Sequence, residues 1–508
     1  MVSVTDIVII GAGNAGLCAA LAAVEAGARA TVVEWAEQDS YGSDSYFSGG
    51  LFRIAYDDLT DLEQIVGPMD LGDAEGLEEH RSYHESDFLS DWGRVTGYRC
   101  DIELADLVVS RSFETLRWMS TFKVPFRSPI VVDDTGRARH SRPGWHGGFV
   151  EVSGAGVGLT EALLTSAEKA GVSIVYGVEA RDASHDPASG RWTLTGRRSD
   201  GSAVAFEGDA LIVASGGFQA DTEWRTRSLG PGWDLAKVRG SRFNTGRGIR
   251  IAMEQGGVPY GNWSGCHAVA WSTGSGDAGR ADANHVFERE SYPFGITVNS
   301  DGVRFIDEGS DFGAYTYARY GREILRQPGQ TAWQLFDQRA VDLMTTEYHY
   351  KNPEAARLQL DSVEQIADRL ASQGVDRDQL LRTVAEYNAA VDDSVDFSPY
   401  VKDGKRTNGL AIDKTNWATP LTQGPFYAFE VTCGITFTFG GVRVNEDSAV
   451  LDRTGRPLPG LYACGEAVGG LYYFNYPSGT GLTAGAVLGR AAGTKAATGT
   501  KAAPGART

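Results

Sequence analysis

The beginning of the chain holds a strand, a glycine-rich turn, a helix and a second strand in immediate succession. The apolar run Ile7–Ile10 predicts a buried parallel strand, and the alanine- and leucine-rich stretch from about Asn14 to near Gly27 predicts a helix. A second apolar run, Ala30–Val33, predicts the next strand. Because strand, crossover helix and parallel strand are the repeating unit of doubly wound sheets, the segment predicts a Rossmann-type α/β domain.

Three glycines in the first turn indicate that this domain binds a ligand. Gly11, Gly13 and Gly16 have G-x-G-x-x-G spacing: the first permits a tight turn, the second lets the backbone approach a pyrophosphate, and the third lets helix pack on strand. Glu34 ends the second strand, where a carboxylate can bind ribose hydroxyls. A glycine-rich turn without a ligand would leave Glu34 without a role, so we predict a dinucleotide site.

Composition narrows the number of domains and the classes of partner. A chain of 508 residues is too long for a single core, and its net charge of −19 argues against nucleic acid and anionic membranes as partners. Its five cysteines form no C-x-x-C pair, so no iron–sulfur cluster or other metal site is predicted. The chain has no long apolar run, and its fingerprint starts close to Met1, so we expect a cytoplasmic protein without a membrane span.

The rest of the chain predicts a domain interrupted by an insertion. Residues 261–423 alternate strands and helices without a glycine fingerprint, which predicts an inserted α+β domain that caps the first. The dinucleotide-binding domain is then discontinuous, comprising residues 1–260, with a mostly helical stretch at 56–123, and residues 424–493. The low-complexity tail, residues 494–508, is expected to be disordered.

Two stretches of the first domain carry local predictions. Residues 178–214 predict a β-meander that ends with the apolar run Ala210–Ala214. Gly154, Gly156 and Gly158 precede a predicted helix and suggest either a second nucleotide site or a helix N-terminus packed closely on its surroundings. The second interpretation is favoured, because no strand-plus-acid context accompanies these glycines.

Several motifs resemble the fumarate reductase/succinate dehydrogenase flavoprotein family over roughly residues 5–493. They are the fingerprint, DALIVASGGF, GLYACGEAVGG and GAVLGRAAG. The resemblance implies FAD in a glutathione-reductase-like domain with an inserted capping domain, and hydride transfer between flavin N5 and a C–C bond. The stretches SGCHAVAW, RFIDEGSDFGAYTYARYGR and YYFNYPSGTGLTAGAV are most similar to tricarballylate dehydrogenase, while YPSGTG also resembles the 3-ketosteroid dehydrogenases.

The resemblance also implies which residues contact FAD. The implied contacts lie in the fingerprint, the loop after Glu34, three later turns and the start of the last helix: Gly11, Gly13, Asn14, Ala15, Gly16, Glu34, Ser43, Ser45, Ser48, Gly49, Gly50, Ala180, Ala214, Gly216, Gly217, Glu466, Thr480, Gly481 and Leu482. The N-terminus of that helix would face the pyrimidine end of the flavin, where its positive potential stabilises the reduced anion.

Several residues depart from the family pattern, and they affect how FAD is attached and which substrate is expected. The loop Ser45–Ser48 lacks the histidine of the covalent members, so FAD is expected to bind non-covalently. Fumarate reductases have a carboxylate-clamping arginine where this chain has Tyr476, and a proton-donating arginine where it has Phe312. Where those enzymes have a G-D-G segment, this chain has Arg247 in place of the acidic residue. Because a tyrosine cannot replace a bidentate guanidinium, fumarate and succinate are poor substrate candidates.

The implied chemistry needs a group that polarises a carbonyl and a group that moves a proton. Tyr476 matches the carbonyl donor of the ketosteroid enzymes. The proton-transfer candidates follow Phe312 on one predicted helix and are Tyr315, Tyr317 and Arg319. His267 is either a core histidine or, by the tricarballylate-type match, a substrate contact. A basic stretch is interpreted as a solvated loop in preference to an anion site; it contains Arg137, Arg139, His140, Arg142 and His146.

These observations predict an FAD-dependent oxidoreductase that dehydrogenates or reduces a C–C bond beside a carboxylate or ketone, with a tricarballylate-like substrate first. A 3-ketosteroid-type desaturase of a neutral carbonyl compound is the nearest alternative, followed by a flavin oxidase or a non-catalytic flavin redox sensor. No second nucleotide site is convincing. We therefore expect a quinone, an iron–sulfur protein or oxygen, and not a nicotinamide, as the electron partner.

Overall fold

The central element of the fold is a six-stranded sheet with the first predicted strand in its interior. The computed structural model describes residues 2–276, 287–344 and 357–501. The sheet is parallel except for its first pair, and its strand order is Ala449–Leu451, Pro457–Ala463, Ala210–Val213, Ile7–Ile10, Ala30–Val33 and Ser173–Val175. The four interior residues of each of Ile7–Ile10 and Ala30–Val33 are buried, as expected for strands covered on both faces.

A four-stranded sheet packs beside it and corrects one prediction. Its strands are Val2–Val4, Ala203–Gly208, Arg191–Arg198 and Val178–Asp186. The expected meander therefore does not include Ala210–Val213, which pairs in parallel with Ile7–Ile10 in the central sheet. All four residues of this run are buried, and a continuous apolar run is typical of a central parallel strand and not of a two-sided meander strand.

Helices and short strands surround the central sheet. The stretch 56–123 is mostly helical, as predicted, with helices Leu59–Val66, Glu85–Thr96, Ile102–Ser110 and Ser112–Thr121. Other helices are Asn14–Glu25, Ala155–Lys169, Thr222–Leu229, Arg247–Glu254 and Thr480–Lys501. Small sheets are formed by Leu51–Arg53, Phe149–Val152 and Phe126–Arg127, by Ile130–Val132 and Ala138–His140, and by Pro259–Tyr260 and Gly441–Val442.

Of the three glycines Gly154, Gly156 and Gly158, the last two lie in the first turn of the helix Ala155–Lys169 and serve close packing. A Cβ atom on Gly156 would lie 2.1 Å from the Ser45 carbonyl oxygen, and one on Gly158 would lie 2.1 Å from the Ser153 carbonyl oxygen. The helix N-terminus is therefore pressed against neighbouring backbone, which agrees with the packing interpretation of this motif.

The capping part is built on one long strand. Phe426–Thr438 pairs with four others, in a sheet that contains Lys237–Val238, Cys266–Ser272, Ile296–Val298, Ala332–Phe336 and Leu358–Leu360. Its helices are Gly313–Leu325, Gln338–Leu343, Val363–Ala371 and Arg377–Ala390. The capping sheet thus draws strands from the stretches 1–260 and 424–493 as well as from 261–423. Within the described ranges, no helix is long and apolar enough to cross a membrane.

The last helix corrects the expectation of a disordered tail. Residues 494–501 continue the helix Thr480–Lys501, and residues 502–508 lie outside the described part of the chain. The helix packs on Asn14–Glu25 at glycines: a Cβ on Gly489 would lie 2.3 Å from the Ala15 oxygen, and one on Gly493 would lie 2.0 Å from the Ala19 oxygen. Gly489 and Gly493 directly precede the predicted tail, and the small residues 494–501 continue the same helix.

We expect Gly493→Ala to destabilise the protein and Gly499→Ala to leave it as stable or more stable. The first methyl group would overlap backbone, at a cost of about 1–3 kcal/mol. The second has room, because its nearest neighbour outside the helix is the Tyr462 hydroxyl at 3.8 Å, and alanine is the better helix former by up to ~1 kcal/mol. Denaturant midpoints of the two variants test this. Equal midpoints would contradict the close helix contact.

Candidate active site

An open cavity lies at the carboxyl ends of four parallel strands, and the space within it and its mouth, open solvent included, is about 1530 Å³. Ile10 and Gly11, Val33 and Glu34, Ala214, and Gly465 with Glu466 line it where their strands end. Ligands bind at this edge in open α/β sheets, because the strand ends and helix N-termini converge there. The capping sheet and the helix Gly313–Leu325 contribute the opposite wall.

The geometry of the fingerprint glycines is compatible with the three predicted roles. Gly11 has φ +102°, and a Cβ there would lie 2.6 Å from the Ala214 oxygen. A Cβ on Gly16 would lie 2.0 Å from the Gly11 oxygen, so this glycine is needed for helix–strand packing. Gly13 faces the cavity, and the nearest atom to a Cβ there is the Ser45 Oγ at 3.5 Å. The backbone at Gly13 is therefore open to a ligand.

Glu34 is buried at the end of its strand with its carboxylate fixed by backbone. Its two oxygens accept from the Ala12 amide at 2.8 Å and from the Ala36 amide at 2.9 Å. Burial raises its pKa above the ordinary value. Since each carboxylate oxygen can accept a second hydrogen bond, Glu34 is oriented and still able to accept from a ribose hydroxyl.

All but four of the predicted FAD contacts line the cavity. The exceptions are Gly16, Gly50, Gly217 and Thr480. Gly50, at φ +64°, packs on backbone of the Ala155–Lys169 helix. The Gly217 amide donates to the Glu466 carboxylate at 3.1 Å, and the Thr480 hydroxyl donates to a backbone carbonyl at the helix start. These four shape the site without facing it.

A pair of carboxyl groups in the cavity wall was not predicted. The Gln219 side-chain amide donates to Asp44 and, at 3.2 Å, to Glu466. The Ser241 amide donates to the other Asp44 oxygen at 2.6 Å, and the Asn244 amide reaches Glu466 at 3.4 Å. Burial and the charge of Glu466 raise the pKa of Asp44 well above its ordinary value, and burial raises the pKa of Glu466 to about 7. The pair therefore holds a proton near neutral pH.

Three of the five predicted catalytic residues meet at the other end of the cavity. His267, Tyr317 and Tyr476 all line it, together with Phe437. The His267 ring centroid lies 4.8 Å from that of Tyr317 and 5.0 Å from that of Tyr476. Burial lowers the pKa of His267 well below its ordinary value, so the ring is neutral, and its Nδ1 is buried without a hydrogen-bond partner among the described atoms.

Tyr476 lies just before the last helix, which begins at Thr480. Its hydroxyl oxygen accepts from the Gly481 amide at 3.1 Å, so it takes one of the unsatisfied donors of a helix N-terminus. Burial raises the pKa of Tyr476, and this hydrogen bond opposes the rise. Burial also raises the pKa of Tyr317 well above its ordinary value, against a hydrogen bond from Ser478. Both hydroxyls are protonated at neutral pH.

Tyr315 and Arg319 do not line the cavity, which corrects their assignment as catalytic residues. The Tyr315 hydroxyl donates to Asp91 and accepts from Arg53 at 3.1 Å. Arg319 donates to the Ser310 hydroxyl at 3.1 Å. Residues two apart on a helix are turned by about 200° from each other, so neighbours of Tyr317 at this spacing face the opposite side. The sequence spacing placed the three residues on one helix but not on one face.

The residues of the predicted basic loop lie in two different environments. Arg137 and Arg139 form ion pairs with Glu79 and Asp133, and burial lowers the pKa of His140 to about 3. The His146 ring stacks on that of Phe312 at 5.2 Å. Arg142 instead lines the cavity and pairs with Glu151 at 3.3 Å. Two further arginines line the cavity wall, Arg239, which pairs with Glu288, and Arg247.

The residues present fit a dinucleotide cofactor of the flavin type. Gly13 leaves room for a pyrophosphate, Glu34 is oriented for a ribose, and the buried Ser215 Oγ in the cavity wall has no hydrogen-bond partner among the described atoms. The loop at 41–50 contains no histidine or cysteine that could carry a covalent flavin. A cradle of this kind, beneath a capping sheet that supplies a second wall, defines a two-part, dinucleotide-dependent oxidoreductase.

Comparison with known proteins identifies the family. Residues 6–482 match the family described as an FAD binding domain. A probable fumarate reductase of Shewanella frigidimarina is 27% identical over 505 residues, covering 97% of this chain and 75% of the relative. A 4-oxocyclohexanecarboxylate 2-dehydrogenase of Sinomonas cyclohexanicum is 27% identical over 347 residues, covering 65% and 57% of the two chains.

A solved structure shares the architecture. The 3-ketosteroid Δ1-dehydrogenase of Sterolibacterium denitrificans superposes with a TM-score of 0.72 at 18% identity, covering 98% of this chain and 100% of the other. The chain therefore belongs to the FAD-binding family that includes the fumarate reductase/succinate dehydrogenase flavoproteins. It is an FAD-dependent oxidoreductase, and its cofactor is FAD.

The carboxyl pair predicts a pH-dependent stability of the FAD-free protein. The pKa of Glu466 is about 7 in the folded protein, above its ordinary value of 4.5. Stability from this group is complete below the ordinary pKa and is lost as the pH rises towards about 7. We expect thermal midpoints to fall over this range in the wild type and to fall less in Glu466→Gln. The exposed Glu446→Gln is the control, and an unchanged slope in Glu466→Gln would contradict the pair.

Proposed function

We propose that the protein dehydrogenates or reduces the C–C bond next to the carbonyl group of a ketone. The observation that carries this proposal is the convergence of the Tyr476 and Tyr317 side chains on one wall of the cavity, beside the neutral His267. When bound, FAD supplies or accepts the hydride. The chain's own residues then have two tasks, which are to polarise the carbonyl and to move one proton.

Tyr476 is the proposed donor to the carbonyl oxygen. Its hydroxyl accepts from the Gly481 amide at the N-terminus of a long helix, and this bond polarises the O–H group. A protonated hydroxyl in this position donates to the oxygen of an enolate as negative charge develops there. Interactions that strengthen with that charge lower the barrier, and removing one such donor typically costs about 10²–10³ in rate.

Tyr317 is the proposed proton carrier. In the reducing direction its hydroxyl gives a proton to the carbon next to the carbonyl, and in the dehydrogenating direction the same oxygen takes that proton. Ser478 hydrogen-bonds to it, and the charge of Arg239 lowers its pKa against the effect of burial. Both influences stabilise a transient tyrosinate, which is the form needed for a base.

The electrostatics of the cavity favour a ketone over a polycarboxylate. Three arginines line its wall, Arg142, Arg239 and Arg247. Arg142 and Arg239 are each paired with a glutamate, so the charge of these two is partly balanced before any substrate binds. Tyr476 stands where fumarate reductases carry a clamping arginine. One relative acts, by its name, on an oxocyclohexane carboxylate, which supports a ring ketone. A tricarballylate-like acid, suggested by sequence resemblance, is the second candidate.

The electron partner completes the proposal. A quinone, an iron–sulfur protein or oxygen would exchange electrons with FAD in a cytoplasmic protein. Rapid reoxidation by air would favour the oxidase alternative, and a flavin without turnover on any ketone or acid would favour the redox sensor.

We expect Tyr476→Phe and Tyr317→Phe each to lower turnover by about 10²–10⁴ while FAD stays bound, since each loses one proton donor of the site. Tyr320→Phe is the matched control. That residue lies on the same helix, and its hydroxyl donates to the Thr297 hydroxyl at 2.6 Å, away from the cavity. Steady-state kinetics and the flavin spectrum provide the measurement. Wild-type turnover in both active-site variants would refute their roles.

We expect a saturated cyclic ketone, added without air, to bleach the oxidised flavin spectrum, and tricarballylate to leave it unchanged. The physical reason is that Tyr476 can donate to a neutral carbonyl but cannot balance the charge of a carboxylate. 4-Oxocyclohexanecarboxylate and a 3-ketosteroid are the first compounds to test. Bleaching by tricarballylate alone would overturn the ketone assignment and restore the polycarboxylate.

A further inference from the structure

A fully buried arginine contacts the turn between Tyr476 and the last helix, residues 476–480, which is called the active-site turn below. Arg53 ends the short strand Leu51–Arg53 and is 0% exposed. Burying a guanidinium without partners is strongly unfavourable, so its hydrogen bonds are needed to keep it in this position. No motif in the sequence distinguished this residue from surface arginines.

The guanidinium of Arg53 forms hydrogen bonds with four separate segments of the chain. Its Nε donates to the Ser478 carbonyl at 2.8 Å. Its Nη1 donates to the hydroxyls of Tyr83 at 2.9 Å and Tyr315 at 3.1 Å. Its Nη2 reaches the His146 carbonyl at 3.4 Å. The active-site turn, the helical stretch and the cap helix Gly313–Leu325 are therefore tied to one side chain.

The backbone of Arg53 is fastened to the same turn. Its amide donates to the Thr483 hydroxyl at 3.1 Å, and that hydroxyl donates to the Arg53 carbonyl at 2.8 Å. Gly479, at φ +84°, leaves no room for a side chain, because a Cβ would lie 2.9 Å from the Arg53 amide nitrogen. The segment that connects Tyr476 to the last helix is thus fixed from its inner side.

The cap helix is fixed to this turn by further bonds. The Asn475 side-chain amide donates to the Tyr315 carbonyl at 2.6 Å, and the Ser478 amide donates to the Ala314 carbonyl at 3.0 Å. Tyr317, two residues further along that helix, is consequently held at a set distance from Tyr476. Arg53 binds one residue on each side of this interface, Ser478 in the turn and Tyr315 in the cap helix, and so adds a third link between them.

The charge of Arg53 is only indirectly balanced. The nearest carboxylate oxygen, on Asp91, lies 3.8 Å away, and it accepts from the hydroxyls of Tyr83 and Tyr315. Hydrogen bonds and the Arg53 charge hold the pKa of Asp91 below its ordinary value, so that group is ionised. The positive charge also acts on Tyr476 and opposes the rise in its pKa.

We propose that Arg53 is a positioning residue for the reaction: it holds the turn at Ser478 and the cap helix at Tyr315 so that the hydroxyls of Tyr476 and Tyr317 stay aligned. The inference rests on the proposed function, because it assigns those hydroxyls to the chemistry. It gives Tyr315 a role outside the cavity, as the acceptor that connects the cap helix to Arg53.

Three variants test the proposal in the FAD-bound protein. Arg53→Lys keeps the charge and loses the fork of donors, while Arg53→Met loses both. Arg304→Lys is the matched control, since that side chain is 5% exposed and pairs with Glu308 within the cap. Hydrogen–deuterium exchange at residues 476–482, kcat and KM on the ketone, and bound flavin are measured for each.

We expect Arg53→Lys to lower kcat by about 100-fold with little change in KM, because a small displacement of reacting groups has this effect. Exchange at 476–482 should rise in both Arg53 variants and not in the control. The alkaline limb of kcat should move to higher pH in Arg53→Met and not in Arg53→Lys, since only the former removes the charge that lowers the pKa of Tyr476. Loss of stability alone would not separate the two variants in this way.

Wild-type kcat and wild-type exchange at 476–482 in Arg53→Lys would overturn the proposal. If Arg53→Lys does not retain FAD, Tyr315→Phe removes one of the hydrogen bonds, and a loss of about tenfold in kcat is expected; an unchanged kcat and unchanged exchange would then be decisive against it. If no ketone is turned over by the wild type, the function proposal fails, while the exchange data still decide whether Arg53 fixes the turn.

Discussion

The structure depends on the close approach of backbone segments at the carboxyl edge of the central sheet. Strands from the start, middle and end of the chain finish there, and each contributes part of the cofactor cradle. Gly11, Gly16, Gly489 and Gly493 permit approaches that any side chain would block. Because the contacts of Gly489 and Gly493 with the first helix join segments more than 400 residues apart, the capping part can be inserted between them without disturbing the FAD site.

Sequence predicted the cradle well, because its signals are local. Strand, turn, helix and acid follow one another from Ile7 to Glu34, and their chemistry is fixed by that order. The Asp44–Glu466 pair and the buried Arg53 could not be found in this way, because their partners are distant in the chain. A lone aspartate in a serine-rich loop and an arginine after an apolar pair carry no periodic signal, and only tertiary packing gives them meaning.

The catalytic end shows the same division. The family resemblance identified the helix that carries Tyr317, but spacing alone also selected Tyr315 and Arg319, which face elsewhere. The prediction of disorder from residue 494 onward was wrong for residues 494–501 for a related reason. Alanine, glycine and threonine are typical both of disordered segments and of helices that pack at very short distance. In the helix Gly313–Leu325 and in the last helix alike, the sequence does not show which face packs against which distant segment.

The long strand Phe426–Thr438 has a mechanical consequence for the enzyme. It runs through the capping sheet and carries Phe437 into the cavity wall, where that residue pairs in register with His267. Tyr317 also belongs to the cap, whereas Tyr476 lies in the turn that leads into the last helix of the FAD-binding part. Any change in angle between the two parts would therefore pull the tyrosine pair apart, so that the two hydroxyls proposed to handle the proton meet only while the cap keeps this position.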